Sequence, residues 1–142
     1  MTRFIKDTRG MRNNNPGNIR LDDKWNGLSA HQDDGSFCQF DEVDYGIRAI
    51  YRTLVTYEDK YNIRTVREII RRWAPEIEND TTSYIDSTIL YMENETSDFI
   101  TGYTDIWTSN RYVNAMIGAI IRHENGYNPF HKDFINDCMF LA

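Results

Sequence analysis

Apolar residues recur at helical spacing over four stretches of the chain. Ile47, Ile50 and Leu54 share one face of a run that opens after Asp41 or Asp44, its candidate caps, and Tyr57 and Tyr61 continue that face. Thr65 caps a second run, in which Val66, Ile69, Ile70 and Trp73 point inward. Pro75 ends it, because the residue before a proline disfavours the helical region. A third run follows Asp80 or Thr81, with Tyr84, Ile85, Thr88, Ile89 and Met92 inward. Residues 93–108 read as loop with one short turn. The fourth run starts at Ser109 or Asn110 and stops between Glu124 and Gly126, and Phe134, Ile135, Cys138 and Met139 mark a short amphipathic tail.

The first forty residues lack this period. Residues 1–12 are polar and basic and read as an N-terminal arm. Residues 13–18, NNNPGN, are turn chemistry: asparagine tolerates left-handed angles, Pro16 fixes its φ and Gly17 permits a positive one. Short alternating runs from Ile19 to Phe40, with Gly27 and the pair Asp34-Gly35, predict a small β-hairpin. The expected architecture is one domain over residues 1–142, mainly α (α+β), with that hairpin near its start.

Composition narrows the function. A chain of 142 residues can bury a core without staples. A net charge of −6 argues against nucleic-acid binding, which rests on cations that meet phosphate; Arg64, Arg67, Arg71 and Arg72 read as one exposed helix face. His31, His123 and His131 are scattered, so neither a metal site nor a cofactor is expected. Cys38 and Cys138 leave two readings open, a pair of buried thiols or one bridge. No segment approaches the roughly 18 apolar residues of a membrane span, and the N-terminus lacks the apolar stretch of a secretory signal. The reading is a protein made soluble in a cytoplasm, without membrane insertion. Aromatic residues reach 13%, with nine tyrosines and three tryptophans, and their flat faces and polar tips suit a groove that grips sugars.

One carboxylate stands out. Glu124 ends the fourth helix on the face of Val113, Ile117 and Ile120. A carboxyl group at the end of an apolar stripe is costly to ionise, so the pattern predicts a side chain able to hold a proton near neutral pH. That property suits a general acid in glycosidic-bond cleavage. His123 points roughly 100° away around the helix and reads as surface or groove wall.

Three strings carry a family resemblance. AIIRHENGYNP, Ala119 to Pro129, resembles the segment around the catalytic glutamate of soluble lytic transglycosylases and goose-type lysozymes, with Asn125 where serine is usual. RNNNPGNIR, Arg12 to Arg20, followed by Trp25-Asn26-Gly27, resembles a segment of flagellum-associated and autolysin-type peptidoglycan hydrolases, as does Phe37 to Tyr57. The order from RNNNPGNI through RWAP, Arg72 to Pro75, also resembles small tailed-phage proteins labelled as virion structural. The lysozyme-like resemblance implies a bacteriolytic phage enzyme, a muramidase or lytic transglycosylase, that cuts the glycan strand of peptidoglycan. It would be carried in the virion, or held in the host cytoplasm before release, and act in the periplasm. Other virion proteins are implied partners. The rival implication is a virion structural protein without activity.

The resemblance also implies roles. Glu124 would be the acid, and Asp33, in the presumed hairpin beside Gln32, the second catalytic group. Asn14, Asn15, Asn18, Gln32, Tyr84 and Tyr127 would shape the groove, with Asn79 and Thr81 as either substrate contacts or helix caps. In lysozyme-like enzymes the glutamate helix precedes the turn and hairpin, whereas here it follows them. A circular permutation reconciles the order and places the NNNPGN turn beside the end of the Glu124 helix. The alternative makes Glu124 structural and gives the chemistry to Glu42, Glu76 or Glu78. Hydrolysis and transglycosylation both stay open.

Overall fold

The computed structural model describes residues 7–77 and 79–142. Among these residues the helices are α1 (Arg9–Arg12), α2 (Val43–Tyr61), α3 (Val66–Trp73), α4 (Thr81–Thr96), α5 (Asn110–Asn125) and α6 (Lys132–Met139), with a 3-10 turn at Ile106–Thr108. Short polar side chains fix most of the starts. Thr65 and Glu68 form a reciprocal capping box on α3, Asp80 accepts from the Ser83 amide on α4, and Ser109 accepts from the Arg111 amide on α5. The start of α2 differs from expectation: Glu42 occupies the cap position with no side-chain bond, and neither Asp41 nor Asp44 caps it. A tertiary contact fixes the chain just ahead of the helix without capping its amides: Asn14 Nδ2 donates to the carbonyls of Phe40 and Asp41 at 3.1 and 3.2 Å.

Helix α5 is the centre of the packing. Val113, Met116, Ile117, Ile120 and Ile121 are buried, and the helix touches α1, α2, α4, α6 and the 3-10 turn. Each such side chain contributes roughly 1.5–3 kcal/mol on burial. Ile47, Ile50 and Leu54 of α2, and Val66, Ile69 and Ile70 of α3, complete the same core. On α4, Tyr84, Thr88 and Met92 are buried while Ile85 and Ile89 are half-buried. Gly46 of α2 lies so close to the Asn14 carbonyl oxygen that a Cβ there would collide with backbone. This close approach seats the asparagine-rich turn on α2.

The mainly helical expectation fits, but the β-hairpin does not exist among the described residues. Arg20–Phe37 and Leu28–Phe40 are isolated antiparallel bridges and no sheet forms. Side chains take the places that a second strand would fill. Gln32 Nε2 donates to the Gln39 carbonyl at 2.6 Å, the Gln39 amide donates to Gln32 Oε1 at 2.9 Å, and Gln39 Oε1 accepts from the Asp33 and Asp34 amides. Such side-chain bonds compete directly with a strand ladder. Two boundaries also move. Of the expected arm, residues 1–6 lie outside the described residues, whereas Arg9–Arg12 form α1 under a Thr8 cap. Helix α4 runs on to Thr96, where the sequence predicted a loop.

Both cysteines are free and buried. Burial pushes the Cys38 thiol up from its ordinary value and the Cys138 thiol up to about 12, aided by Asp44 and Asp137. Neither thiol is expected to react with an aromatic disulfide reagent in the native protein at pH 8, and both should react in denaturant. Fast labelling of the folded chain would contradict this burial.

Candidate functional site around Glu124

Helix α5 ends at Gly126, whose φ of 82° closes the helix through a 2.7 Å bond from its amide to the Arg122 carbonyl. Asn125 locks the asparagine-rich turn onto this end. Its Nδ2 donates to the carbonyls of Pro16 at 2.7 Å and Ile121 at 2.9 Å, and its Oδ1 accepts from Thr8 Oγ1 at 2.7 Å. The side chain is buried with both ends satisfied, so a shorter serine could not make the same span.

Glu124 is half-buried and both its oxygens are occupied. Asn18 Nδ2 donates to Oε1 at 3.0 Å, and the Tyr84 hydroxyl donates to Oε2 at 3.1 Å. Three distant segments therefore meet at one carboxylate: the turn, α4 and the end of α5. Asn18 reaches it from a left-handed backbone with φ 51°. Tyr84 is buried and stacks on the His123 ring with centroids 3.5 Å apart. Burial and the neighbouring Glu124 push the Tyr84 phenol far above its ordinary value, so it stays a neutral hydrogen-bond partner. Burial, with a smaller push from Arg122, lowers the His123 value against the pull of Glu124, and the lowering favours a neutral ring. The surroundings of Glu124 thus differ from the apolar pocket that the stripe predicted: the side chain leaves the buried face and meets polar donors.

Glu124 faces a cleft of about 830 Å³. Asp22, Asp23 and Trp25 line it from the loop after the turn, Tyr57, Lys60 and Tyr61 from the end of α2, and Arg72 and Trp73 from the end of α3. Burial raises the Tyr57 phenol to about 12, and the Arg72 guanidinium lies over the Tyr57 and Tyr61 rings at 5.4 and 4.0 Å from their centroids. Sequence reading assigned Tyr57 and Tyr61 to the core face and Arg72 to open solvent. Aromatic and basic residues gathered in the last turns of two successive helices were the available signal. Asp22 and Asp23 gave none beyond their turn-like setting.

The other expected site residues divide clearly. Asn79 lines the cleft, whereas Thr81 is buried and donates to the Ala74 carbonyl at 2.6 Å. Asn14 and Asn15 spend their side chains on backbone groups, and Asn15 is fully buried. Gln32 is consumed by Gln39, and Asp33 is exposed on its turn; neither lines the cleft. Tyr127 is half-buried just beyond α5 and does not line it either. Glu42 is exposed at the start of α2, Glu76 is exposed and 3.8 Å from Arg71, and Glu78 lies outside the described residues. No cluster able to hold a metal occurs among the described residues.

Asp34, not Asp33, anchors the turn. Its carboxylate accepts two bonds from Arg9, at 2.8 and 2.6 Å, one from Asn13 Nδ2 at 3.0 Å, and two from the Phe37 and Ser36 amides. Arg9 first, then Asn13 and the Phe37 amide, hold this group well below the usual carboxylate range. A depressed folded value stabilises the fold above the unfolded value of about 3.9, and that stability is lost as pH falls from there toward the folded value. Asp34→Asn should therefore flatten the fall in melting temperature between about pH 5 and pH 2 relative to wild type. Parallel pH profiles for the two proteins would refute this role.

No family model matches the chain. Protein P5 of Pseudoalteromonas phage PM2 is 38% identical over 143 residues, covering 94% of this chain and 81% of that protein. The chain belongs to the Protein P5 family. The family places it in a bacteriophage context, and no helix among the described residues is long and apolar enough to cross a membrane. The name of Protein P5 carries no activity, so the chemistry of this family member has to be argued from the cleft.

Proposed function

We propose that the protein cleaves the glycan strand of peptidoglycan, with Glu124 as the general acid. The observation that carries this reading is a carboxylate on the wall of an open cleft, held at both oxygens by Asn18 and Tyr84. Aromatic rings from α2 and α3 line the same cleft and suit the faces of sugar rings. Its volume falls within the usual range for ligand clefts, about 300–1,000 Å³. The motif resemblance around Ala119 to Pro129 supports the same reading, and the phage relative adds only a bacteriophage context.

On this reading the proton of Glu124 sits on one oxygen only. Asn18 Nδ2 can only donate, so Oε1 remains an acceptor and the proton rides on Oε2. The Tyr84 hydroxyl can accept from that proton or donate to the bare oxygen. When the proton passes to the glycosidic oxygen, the bond to the sugar carbon breaks and the departing sugar keeps the new hydroxyl. Both protein donors then bond a full negative charge, and such bonds are roughly twice as strong as neutral ones. Water or the sugar's own 6-hydroxyl then bonds the exposed sugar carbon and gives its proton to the Glu124 carboxylate, which restores the acid. Asp22 and Asp23 share the cleft with Glu124 and are our candidates to direct a water.

Purified cell walls test the reading. The protein should lower their turbidity and release soluble fragments. A reducing end in the mass spectrum identifies a muramidase, and a 1,6-anhydro end identifies a transglycosylase. Walls left intact would defeat the proposal. One observation favours the second reading, a virion component without catalysis: Glu124 ties the turn, α4 and α5 together, a contribution that needs no substrate.

A further inference from the structure

The cleft carries charge of both signs, and its cations have no stated work in the cleavage step. Asp22, Asp23 and Glu124 line the cleft together with Arg20, Lys60 and Arg72. Among the described residues, no carboxylate pairs with Arg72 or Lys60, although Arg64, Arg71 and Arg111 all have such partners. Arg72 is also held in place. Its guanidinium carbon lies 4.0 Å from the Tyr61 ring centroid and 5.4 Å from that of Tyr57. Rings that cover the guanidinium face leave its N–H edge free for a planar anion, and they remove part of the entropy cost of binding one. Trp73, the next residue, lines the cleft beside it and offers a sugar-stacking surface.

We infer that the cleft takes a glycan bearing carboxylate substituents, and that Arg72 binds one such carboxylate while Glu124 addresses the sugar linkage. This inference rests on the catalytic reading above and deepens it by naming the residue that selects the carboxylated strand. In a wall glycan the carboxylate has two sources, the lactyl ether on alternate sugars or the peptide attached to it. A strand of N-acetylglucosamine alone has neither. Charge-assisted bonds of this kind distinguish the two classes by about tenfold or more in affinity.

The test uses three oligosaccharides of equal length: neutral N-acetylglucosamine oligomers, peptide-free wall fragments with lactyl carboxylates, and the same fragments with their peptides. Binding is followed by fluorescence of Trp25 and Trp73 in a Glu124→Gln background, so that the ligand persists. Carboxylated fragments are expected to bind about tenfold tighter than the neutral oligomer, and the first of them to show the gain identifies the carboxylate's source. Arg72→Met should erase the preference, and a cooperative thermal unfolding transition shows that the variant is folded. Arg72→Lys should restore part of the preference. Equal affinity for all three ligands, or a preference that survives Arg72→Met, would overturn the inference. Either result, together with wall clearing by wild type, leaves the catalytic reading standing. Intact walls after treatment with wild type remove both.

Discussion

Asn15→Ala is expected to cost about 2–6 kcal/mol of folding stability, the largest loss foreseen for any single polar side chain here. Asn15 is fully buried. Its Nδ2 donates to the carbonyls of Ile19 and Cys38, each at 2.9 Å, and its Oδ1 accepts from the Ile19 amide at 3.0 Å. The Ile19 carbonyl keeps a second partner, the Cys38 amide at 2.8 Å. The Ile19 amide and the Cys38 carbonyl lose the partner that Asn15 supplied. Each buried group left unsatisfied costs about 1–3 kcal/mol. Against a typical total of about 5–15 kcal/mol, this loss brings the domain near its unfolding threshold. Thermal unfolding should show a melting point lowered by about 2–4 °C or more for each kcal/mol lost. Asn15→Asp keeps the acceptor but puts a charge in the core, so it should fare no better. A variant that melts within two degrees of wild type, to take about 2 °C as the smallest shift expected per kcal/mol, would show that this hub is dispensable.

The same asparagine explains where sequence reasoning stops. Helical period revealed which faces of α2, α3, α4 and α5 are buried, because a 3.6-residue repeat is local information. Caps at Thr65, Asp80 and Ser109 were legible for the same reason. Asn14, Asn15 and Asn18 are identical in type and lie within one turn, yet the fold splits their work. Asn14 and Asn15 satisfy backbone groups, whereas Asn18 crosses to a carboxylate 106 positions away. No local pattern separates those fates. Nor does the period say which end of a helix stays uncovered, which is why Tyr61 and Arg72 read as core and solvent while both line the cleft. The missing hairpin has a similar cause. Alternation from Ile19 to Phe40 matches a strand, but Gln32 and Gln39 use side chains to satisfy the backbone, and this choice depends on their mutual approach in space.

Glu124→Gln is expected to lower wall-clearing activity by about 10²–10⁴-fold while leaving the fold nearly intact. Glutamine keeps the geometry. Its Oε1 can still accept from Asn18 Nδ2, and its Nε2 can donate to the Tyr84 hydroxyl, which accepts as readily as it donates. What disappears is the transferable proton. Tyr84→Phe makes the complementary change: the ring and its stacking on His123 persist, but Oε2 loses its donor. Activity should then fall less, by about tenfold, since one charge-assisted bond is lost and the acid remains. The two variants separate the catalytic reading from the structural one. If Glu124 serves only to tie the turn to α4 and α5, Glu124→Gln leaves both clearing and melting temperature close to wild type, because the tie survives as an amide. If Glu124 is the acid, clearing collapses at an unchanged melting temperature. Measured together on one preparation, turbidity loss and thermal unfolding give those outcomes no overlap.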